Sequence, residues 1–413
     1  MLAANIYQSK NEASMTIPAT QLIHHPYRPP AEFEAVQPGV FKGSTVFFPN
    51  MAAVRERQWL DKSGYTYGLH GTPTSYVLEE RLASLEGGLQ CLLAPSGLAA
   101  LALVPLALLK AGDEMLLPAN SYEPNRTFAA DGLAQFGVAH QCYEAMDVAD
   151  LAARITPRMR LVWLEAPGSV TMEFPDVLAM VRLCRERGVV CALDTTWSAG
   201  QAFAPFNLDG QGLGVDIAAP ALTKYQSGGG DVLMGALITR DEALHRRLKL
   251  AHMHLGLGVG MNDVEAVLRA LPTLPLRYRA QGESGLALAR WCAQQPPFVQ
   301  VLHPALPDAP GHAHWQQLCG GTAAGLFSVI IDARYSSAQV DAFCEALQFF
   351  RLGYSWGGPV SLVMPYEARA LRGEQWPAHL QRGHVVRFAV GLEDAADLQA
   401  DLQQAMARAL PRT

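Results

Sequence analysis

The stretch Val190-Cys-Ala-Leu-Asp-Thr-Thr-Trp197, with the motif Ala221-Leu-Thr-Lys-Tyr225 that follows it, decides the fold of this chain. Its apolar half is typical of a buried strand, and Asp194 stands at the carboxyl end, where parallel sheets bind ligands. Lys224 follows a second apolar run, so its amine can be desolvated and made nucleophilic. Asp194 alone could begin an ordinary turn, and a lone lysine after a strand is more often on the surface. Because the two motifs occur together, we predict a site built from Asp194 and Lys224.

Short apolar runs alternate with helical patterns around this stretch, which indicates an α/β unit with a largely parallel sheet. After about residue 285 the pattern changes, and strands and helices there suggest a smaller α+β domain. The sequence therefore predicts an N-terminal arm over 1–70, a large domain over 71–270 and a small domain over 271–413.

Two further motifs suit a phosphorylated aromatic cofactor. Pro95-Ser-Gly-Leu-Ala-Ala100 precedes a helix, whose first N–H groups and dipole can bind phosphate, although an ordinary helix cap reads the same way. Tyr122, in Ser121-Tyr-Glu-Pro124, could stack on an aromatic ring. A carboxylate such as Asp194 would keep a pyridine nitrogen protonated, which makes the ring an electron acceptor. The four motifs point to pyridoxal 5′-phosphate (PLP).

Taken in order, these motifs resemble the Cys/Met-metabolism family of PLP-dependent enzymes, from about Tyr65 to Asp394. The resemblance implies PLP-dependent transferase fold type I, the aspartate-aminotransferase-like fold, with a mostly parallel sheet of the seven-stranded type. The phrases that carry it, and that look most like the cystathionine β-lyase branch, are Tyr67-Gly-Leu-His-Gly-Thr-Pro-Thr74, Leu85-Glu-Gly-Gly88, Glu165-Ala-Pro-Gly-Ser-Val-Thr-Met-Glu173, Tyr354-Ser-Trp-Gly-Gly358 and Val386-Arg-Phe-Ala-Val-Gly-Leu-Glu-Asp394.

The resemblance also implies roles for individual residues. Lys224 would carry PLP as a Schiff base, and Tyr67 would reach the phosphate or the substrate of a neighbouring subunit. Arg387 would hold the substrate α-carboxylate, because a planar guanidinium matches a carboxylate with two parallel hydrogen bonds. The other expected cofactor-binding residues are Asp194, Thr196, Gly97, Leu98, Tyr122 and Thr223, and the other expected substrate-binding residues are Ser355 and Trp356.

The sequence departs from the family at the expected phosphate site. Leu69 stands where relatives carry an arginine, and Ala221 cannot donate a hydrogen bond. Losing one charge-assisted hydrogen bond costs about 1.5–3 kcal/mol of cofactor binding. Arg126 is a candidate substitute by position only. Gly228-Gly-Gly and Pro359-Val360 are further departures, and they leave the substrate open.

Composition, cysteine spacing and hydrophobicity argue against several other classes of protein. Charged residues make up 17% of the 413 residues and the net charge is −6, which argues against nucleic acid as a partner. The seven cysteines include no Cys-x-x-Cys pair, so we expect no metal site and a reducing, cytoplasmic location. The apolar run Leu98–Leu109 is too short to cross a bilayer, so we expect no membrane partner.

The resemblance implies a homotetramer with shared active sites.

The expected activity is a PLP-dependent carbon–sulfur lyase reaction, the β-elimination of L-cystathionine or a related cysteine S-conjugate to a thiol, pyruvate and ammonia. One alternative within the family is a γ-lyase or an O-acyl-homoserine sulfhydrylase. An alternative of another class is a catalytically lapsed binding protein, which the residue at Leu69 motivates.

Overall fold

The computed structural model describes residues 18–25, 35–367, 371–372 and 376–411. Its larger sheet has seven strands in the spatial order β1-β7-β6-β5-β4-β2-β3. All neighbours are parallel except β7, which is antiparallel to both β1 and β6. The predicted, mostly parallel sheet is confirmed. Its strands are β1 (Gln90–Ala94), β2 (Glu114–Pro118), β3 (Ala139–Tyr143), β4 (Met159–Glu165), β5 (Val190–Asp194), β6 (Ile217–Ala218) and β7 (Gly235–Thr239).

Both faces of this sheet are covered, which is why its strands are continuous apolar runs. Along β4, Leu161 and Trp163 point into one apolar cluster, while Val162 and Leu164 point into the other. This is the two-residue alternation of a strand. The helices up to this point in the chain are α1 (Pro18–Ile23), α2 (Met51–Arg55), α3 (Pro73–Glu86), α4 (Gly97–Leu108), α5 (Glu123–Thr127), α6 (Val148–Arg154), α7 (Val177–Arg187) and α8 (Glu242–Leu255).

Two helices, α9 (Met261–Ala270) and the long α10 (Leu274–Cys292), lead to a second sheet. It has five strands in the order β10-β11-β12-β9-β8, antiparallel except between β10 and β11. The predicted domain limits at 70 and 270 stay a prediction. The remaining elements are β8 (Phe298–Leu302), α11 (His312–Cys319), β9 (Leu326–Asp332), α12 (Ser337–Ala346), β10 (Arg351–Leu352), β11 (Leu362–Tyr366), β12 (Gly383–Ala389) and α13 (Ala395–Ala409).

The expected N-terminal arm is described only in part, because residues 1–17 and 26–34 lie outside the described ranges. From residue 35 to α3 the chain is mostly irregular, and it is joined to itself by a bridge between Thr45 and Tyr67. Apolar side chains such as Phe47, which is 94% exposed, lie on its surface. None of the helices in the described ranges is both long enough and apolar enough to cross a membrane.

Both sheets contribute functional groups to the same cavities. Glu165 ends β4 and Asp194 ends β5, at the same edge of the large sheet. The segment after β6 carries Lys224 past this edge, and β12 of the small sheet contributes the buried Arg387.

Candidate active site

Lys224 lies at the centre of the candidate site. Its Nζ donates a hydrogen bond of 2.7 Å to Ser355 Oγ and lies 4.8 Å from the centre of the Trp356 ring. Burial, together with the nearby Arg387 guanidinium, lowers the pKa of Lys224 to about 8, although the Asp194 carboxylate acts in the opposite direction. About a tenth of the amine is therefore neutral and nucleophilic at pH 7, far more than for an exposed lysine.

Ser355 is held in an unusual backbone conformation. Its φ is 113°, a region that residues with a side chain rarely adopt. Gly357, two residues later, packs closely against the backbone of Lys224: a Cβ at this position would lie 2.9 Å from the Lys224 carbonyl carbon. Strained residues concentrate at functional sites, where the surrounding structure must hold them. Here the strain places the Ser355 hydroxyl against the Lys224 amine.

Two half-buried carboxyl groups lie side by side at the sheet edge. Asp194 and Glu165 are partners in the register of β5 and β4. Burial raises the pKa of both groups, and the Asp194 charge raises the pKa of Glu165 further, while hydrogen bonds from Thr196 lower that of Asp194. The Tyr122 amide donates a hydrogen bond of 2.8 Å to Glu165 Oε2. Sequence reasoning missed Glu165, although its position at a strand end beside Asp194 was a usable signal.

A cavity in front of Asp194 gathers the residues that were predicted to bind the cofactor. At one end the helix α4 begins at Gly97, and the Ser96 hydroxyl caps it by accepting a hydrogen bond of 3.0 Å from the Ala99 amide. A Cβ at Gly97 would lie 2.6 Å from that of Ala221, so only glycine allows this close approach. The lining includes Gly97, Leu98, Tyr122, Glu165, Asp194, Thr196, Thr223, Lys224 and Trp356.

The two threonines of this cavity are engaged within the chain. Thr196 Oγ1 accepts a hydrogen bond of 2.9 Å from the Ala221 amide. Thr223 Oγ1 donates to the Met234 carbonyl at 3.2 Å and accepts from the Met234 amide at 3.1 Å. The Thr223 hydroxyl would therefore have to turn away from Met234 before it could donate to a phosphate, which the sequence could not reveal.

A second cavity joins Lys224 to the residues predicted to bind substrate. The Arg387 guanidinium contacts the rings of Trp356 and Tyr366, at 5.1 Å and 5.2 Å from their centres. It is buried, and it lines this cavity together with Lys224, Tyr122, Ser355 and Trp356. These two ring contacts restrain the guanidinium, whose planar shape suits recognition of a carboxylate by two parallel hydrogen bonds.

Tyr67, Leu69 and Arg126 lie away from the expected phosphate site. Tyr67 and Leu69 line an outward-facing cavity with Lys42, and neither lines a cavity with Lys224. Arg126 Nη1 donates to the carbonyls of Ala119 and Leu371, on the substrate side. The suggestion that Arg126 replaces the missing phosphate arginine is therefore wrong. Lys224 is the one basic residue that the described part of the chain contributes to the cofactor cavity.

A buried ion pair that sequence reasoning missed supports the far wall of the substrate cavity. Arg372 donates to Glu173 Oε1 and Oε2 at 2.6 Å and 2.7 Å, and His379 contacts the same carboxylate at 2.5 Å. Burial alone would raise the pKa of Glu173, but His379 and Arg372 outweigh it and lower that pKa to about 2. The pair fastens the segment after β11 to the loop after β4.

The comparisons with known proteins agree with this geometry. The profile of the family described as "Cys/Met metabolism PLP-dependent enzyme" matches residues 19–407. The chain belongs to this family. A cystathionine beta-lyase from Bordetella avium is 35% identical over 388 residues, which cover 93% of this chain and 95% of the relative. An L-alanine/L-glutamate racemase from Wolbachia pipientis is 32% identical over 91% of this chain and 93% of the relative. The crystal structure of metB from Corynebacterium glutamicum superposes with a TM-score of 0.85 at 25% identity, over 95% of this chain and 98% of that one.

The family's cofactor, PLP, fits the residues present. The amide groups at the start of α4 suit its phosphate, and the half-buried Asp194 has no basic side chain paired with it in the described ranges and so suits a cationic ring nitrogen. Tyr122, whose side chain is 37% exposed, can cover the ring, and the Lys224 amine is free to react with the aldehyde. Fold type I, predicted from the resemblance, is confirmed by the family and by the structural match.

Proposed function

We propose that this chain is a carbon–sulfur lyase that converts L-cystathionine and water to L-homocysteine, pyruvate and ammonia. The observation that carries the proposal is the convergence of one nucleophilic amine, Lys224, with Asp194 on the cofactor side and Arg387 on the substrate side. The cystathionine beta-lyase name of the 35% identical relative supports the choice of substrate.

Each residue of the site has a separate role in this proposed reaction. Arg387 would hold the α-carboxylate of the amino acid, which places its Cα near Lys224. The Lys224 amine would take the Cα proton as a general base, and the Ser355 hydroxyl would orient that amine. PLP, when bound, supplies the electron sink for the negative charge that develops at Cα. The carbon–sulfur bond at Cβ breaks, and the protonated Lys224 is placed to return a proton to the departing sulfur.

Product analysis tests this proposal directly. The purified holoenzyme would be incubated separately with L-cystathionine, L-cystine and L-methionine, and thiol and keto acid would be quantified. We expect pyruvate and homocysteine in equal amounts from L-cystathionine. A product of 2-oxobutyrate would contradict β-elimination and favour a γ-lyase. Lys224→Ala is the matched control, and full pyruvate release by that variant would exclude the assigned role of Lys224.

Incubation with O-acyl-homoserine plus a thiol, and separately with L-alanine, distinguishes two other activities. A sulfhydrylase would consume O-acyl-homoserine and a thiol without keto acid. A racemase, the activity in the name of the Wolbachia relative, would convert L-alanine to D-alanine with no loss of amino acid. We rank the lyase first because Arg387, Ser355 and Trp356 converge on Lys224 as the resemblance to the lyase branch predicts.

A catalytically lapsed protein is the remaining alternative. The intact set of Lys224, Asp194, Tyr122 and Arg387 argues against it, because a binding protein would not need all four in one pair of joined cavities. A colourless protein that takes up no PLP would favour it.

We further propose that the active sites are shared between subunits of a homotetramer. Tyr67 is 47% exposed and lines an outward-facing cavity, and the same segment exposes apolar side chains such as Phe47. Mixing two inactive variants, Lys224→Ala and Tyr67→Ala, tests this arrangement. If sites are shared, mixed oligomers regain a fraction of the activity, because some sites then contain both native residues. No recovery after verified subunit exchange would contradict sharing.

A cytoplasmic location is part of the same proposal. All seven cysteines are free and six of them are buried. Unpaired cysteines are typical of proteins in a reducing compartment.

A further inference from the structure

A second buried lysine, Lys249 of α8, lies outside the two cavities described above. It borders a small cavity between α3, α8 and the segment 59–71, with room for a water-sized group. Only 2% of Lys249 is exposed. Among the residues that the structure describes, its Nζ has no hydrogen-bond acceptor and no ion-pair partner. The centre of the Tyr76 ring lies 6.0 Å from Nζ, but a contact at this distance does not replace a hydrogen-bond acceptor. A buried ammonium that lacks an acceptor is costly, so this position needs an explanation.

The carboxylates near Lys249 are already engaged. Glu79 forms a buried ion pair with Lys62, and Lys62 Nζ also donates to the Cys91 carbonyl at 3.1 Å. Asp61 is exposed and accepts hydrogen bonds from the Ser63 amide and hydroxyl. The buried cluster therefore holds two ammonium groups and one carboxylate.

The histidines of the cluster add no negative charge and little positive charge. His245 and His252 lie on the same face of α8 as Lys249, and both are buried. Burial and then the charge of Lys62 lower the pKa of His245 to about 3, and burial lowers that of His252. His70, across the cavity, has a pKa lowered by burial and by Lys249. These imidazoles are neutral near pH 7, so the buried groups carry one positive charge more than negative charge. Asp61 also acts on Lys249, but it is exposed, and solvent screens its charge.

We propose that this cavity binds a small monovalent anion at Lys249. The anion would accept hydrogen bonds from Lys249 Nζ, and it would balance the excess charge of the buried groups. Burial lowers the pKa of Lys249 only to about 8, so the ammonium form still predominates at pH 7. The cavity is too small for an organic acid of substrate size, and a chloride ion fits the space of one water.

The anion would connect α8 to the segment that carries Tyr67. The cavity wall includes Trp59 and the backbone of residues 68–71. The Trp59 ring stacks on His70 with 4.6 Å between ring centres, and His70 Nδ1 lies 2.8 Å from Thr66 Oγ1. An anion at Lys249 would thus stabilise the fold of this segment from its inner side.

Halide-dependent stability tests the proposal. The Tm of the holoenzyme would be measured at pH 7 in sodium chloride and in sodium gluconate at equal ionic strength, for the wild type, Lys249→Met and Lys110→Met. Lys110 is exposed and is the matched control. We expect chloride to raise the Tm of the wild type and of Lys110→Met by about 1–3 °C, and to leave Lys249→Met unchanged. The shift should disappear above pH 9, where Lys249 loses its proton.

Crystallography of the wild type gives a second readout that needs no variant. Crystals soaked in sodium bromide should show an anomalous peak beside Lys249 Nζ. An equal chloride shift in all three proteins, or no bromide peak beside Lys249, would overturn the proposal. Both measurements read stability or electron density and not turnover, so their outcome does not depend on the proposed lyase activity.

Discussion

Lys224 and Lys249 are two buried lysines in very different surroundings. Burial is the main cause that lowers the pKa of each to about 8. Lys224 opens into cavities that also contain Asp194 and Arg387. Lys249 borders a water-sized cavity whose carboxylate, Glu79, is paired with Lys62, and no arginine lines that cavity in the described part of the chain. A lowered lysine pKa therefore does not identify a catalytic amine by itself. A catalytic amine is identified by the carboxylate, the guanidinium and the hydroxyl group that converge on it.

The balance of charge differs between the two regions as well. On the cofactor side of Lys224, the carboxyl groups of Glu165 and Glu86 act on or are acted on by Asp194, and all three have raised pKa values; the cationic Arg387 lies on the substrate side. Around Lys249, two ammonium groups share one carboxylate. A buried excess of acid suits a cationic ligand group, such as a pyridinium nitrogen, and a buried excess of base suits an anion. The sign of the imbalance thus indicates the sign of the partner.

Removing each lysine should give the largest contrast. Lys224→Ala should lower kcat on L-cystathionine by at least about 10⁴-fold, because it removes both the nucleophile and the general base. It should also remove the absorbance of lysine-linked PLP. Lys249→Met should keep kcat within about twofold, since no catalytic group contacts Lys249. Steady-state kinetics and absorption spectra check both variants. Comparable losses of kcat in Lys224→Ala and Lys249→Met would contradict the different roles assigned to the two lysines.

The sequence was sufficient to predict the Lys224 region and not the Lys249 region, for physical reasons. Asp194 and Lys224 each follow an apolar strand, and the ends of parallel strands meet at one edge, so local patterns predict a common site. Lys249, Lys62 and Glu79 come from three separate segments with no ligand-binding pattern. Their proximity depends on how α3 and α8 both pack against β1, which only the three-dimensional structure shows.

The finer geometry of the active site was also beyond the sequence. The pairing of Thr223 with Met234 and the placement of Arg126 on the substrate side depend on loop conformations that no periodicity encodes. Tyr67 was expected to serve a neighbouring subunit, and its position outside the Lys224 cavities agrees with that expectation without testing it.

The acid excess near Lys224 predicts a pH dependence of stability through Glu86. Burial raises the pKa of Glu86 to about 8, helped by the Asp194 charge and opposed by Thr195. In the unfolded chain this group ionises near pH ~4.3. Between these values unfolding releases a proton, so the free energy of unfolding should fall as pH rises from about 4.5 to about 8, by a few kcal/mol. Glu86→Gln should lack this fall, which urea unfolding of the holoenzyme at pH 5 to 9 would measure.

Glu173 provides a control of opposite sign. Its pKa is lowered to about 2, so its stabilising effect is present above pH ~4.3 and is lost as pH falls toward 2. Glu173→Gln should therefore differ most from the wild type above pH 5 and least in acid. If Glu86→Gln followed the wild type across the whole range, Glu86 would not be a buried neutral acid, and the excess of acid near Asp194 would be smaller than proposed.

The smallest expected effect concerns Ser355, which accepts a hydrogen bond from Lys224. In the described part of the chain, Lys249 has no equivalent acceptor. Ser355→Ala and Ser355→Gly both remove the hydroxyl that accepts from Lys224, and each should lower kcat/KM by about tenfold, as expected for a hydrogen bond to a charged group worth roughly 1.5 kcal/mol. Only glycine adopts a φ of 113° without strain. Ser355→Gly should therefore be more stable than Ser355→Ala by about 1 kcal/mol in urea unfolding. Equal stability of the two would mean that the loop relaxes when the hydroxyl is removed, and the strain at Ser355 would then be a consequence of its hydrogen bond to Lys224.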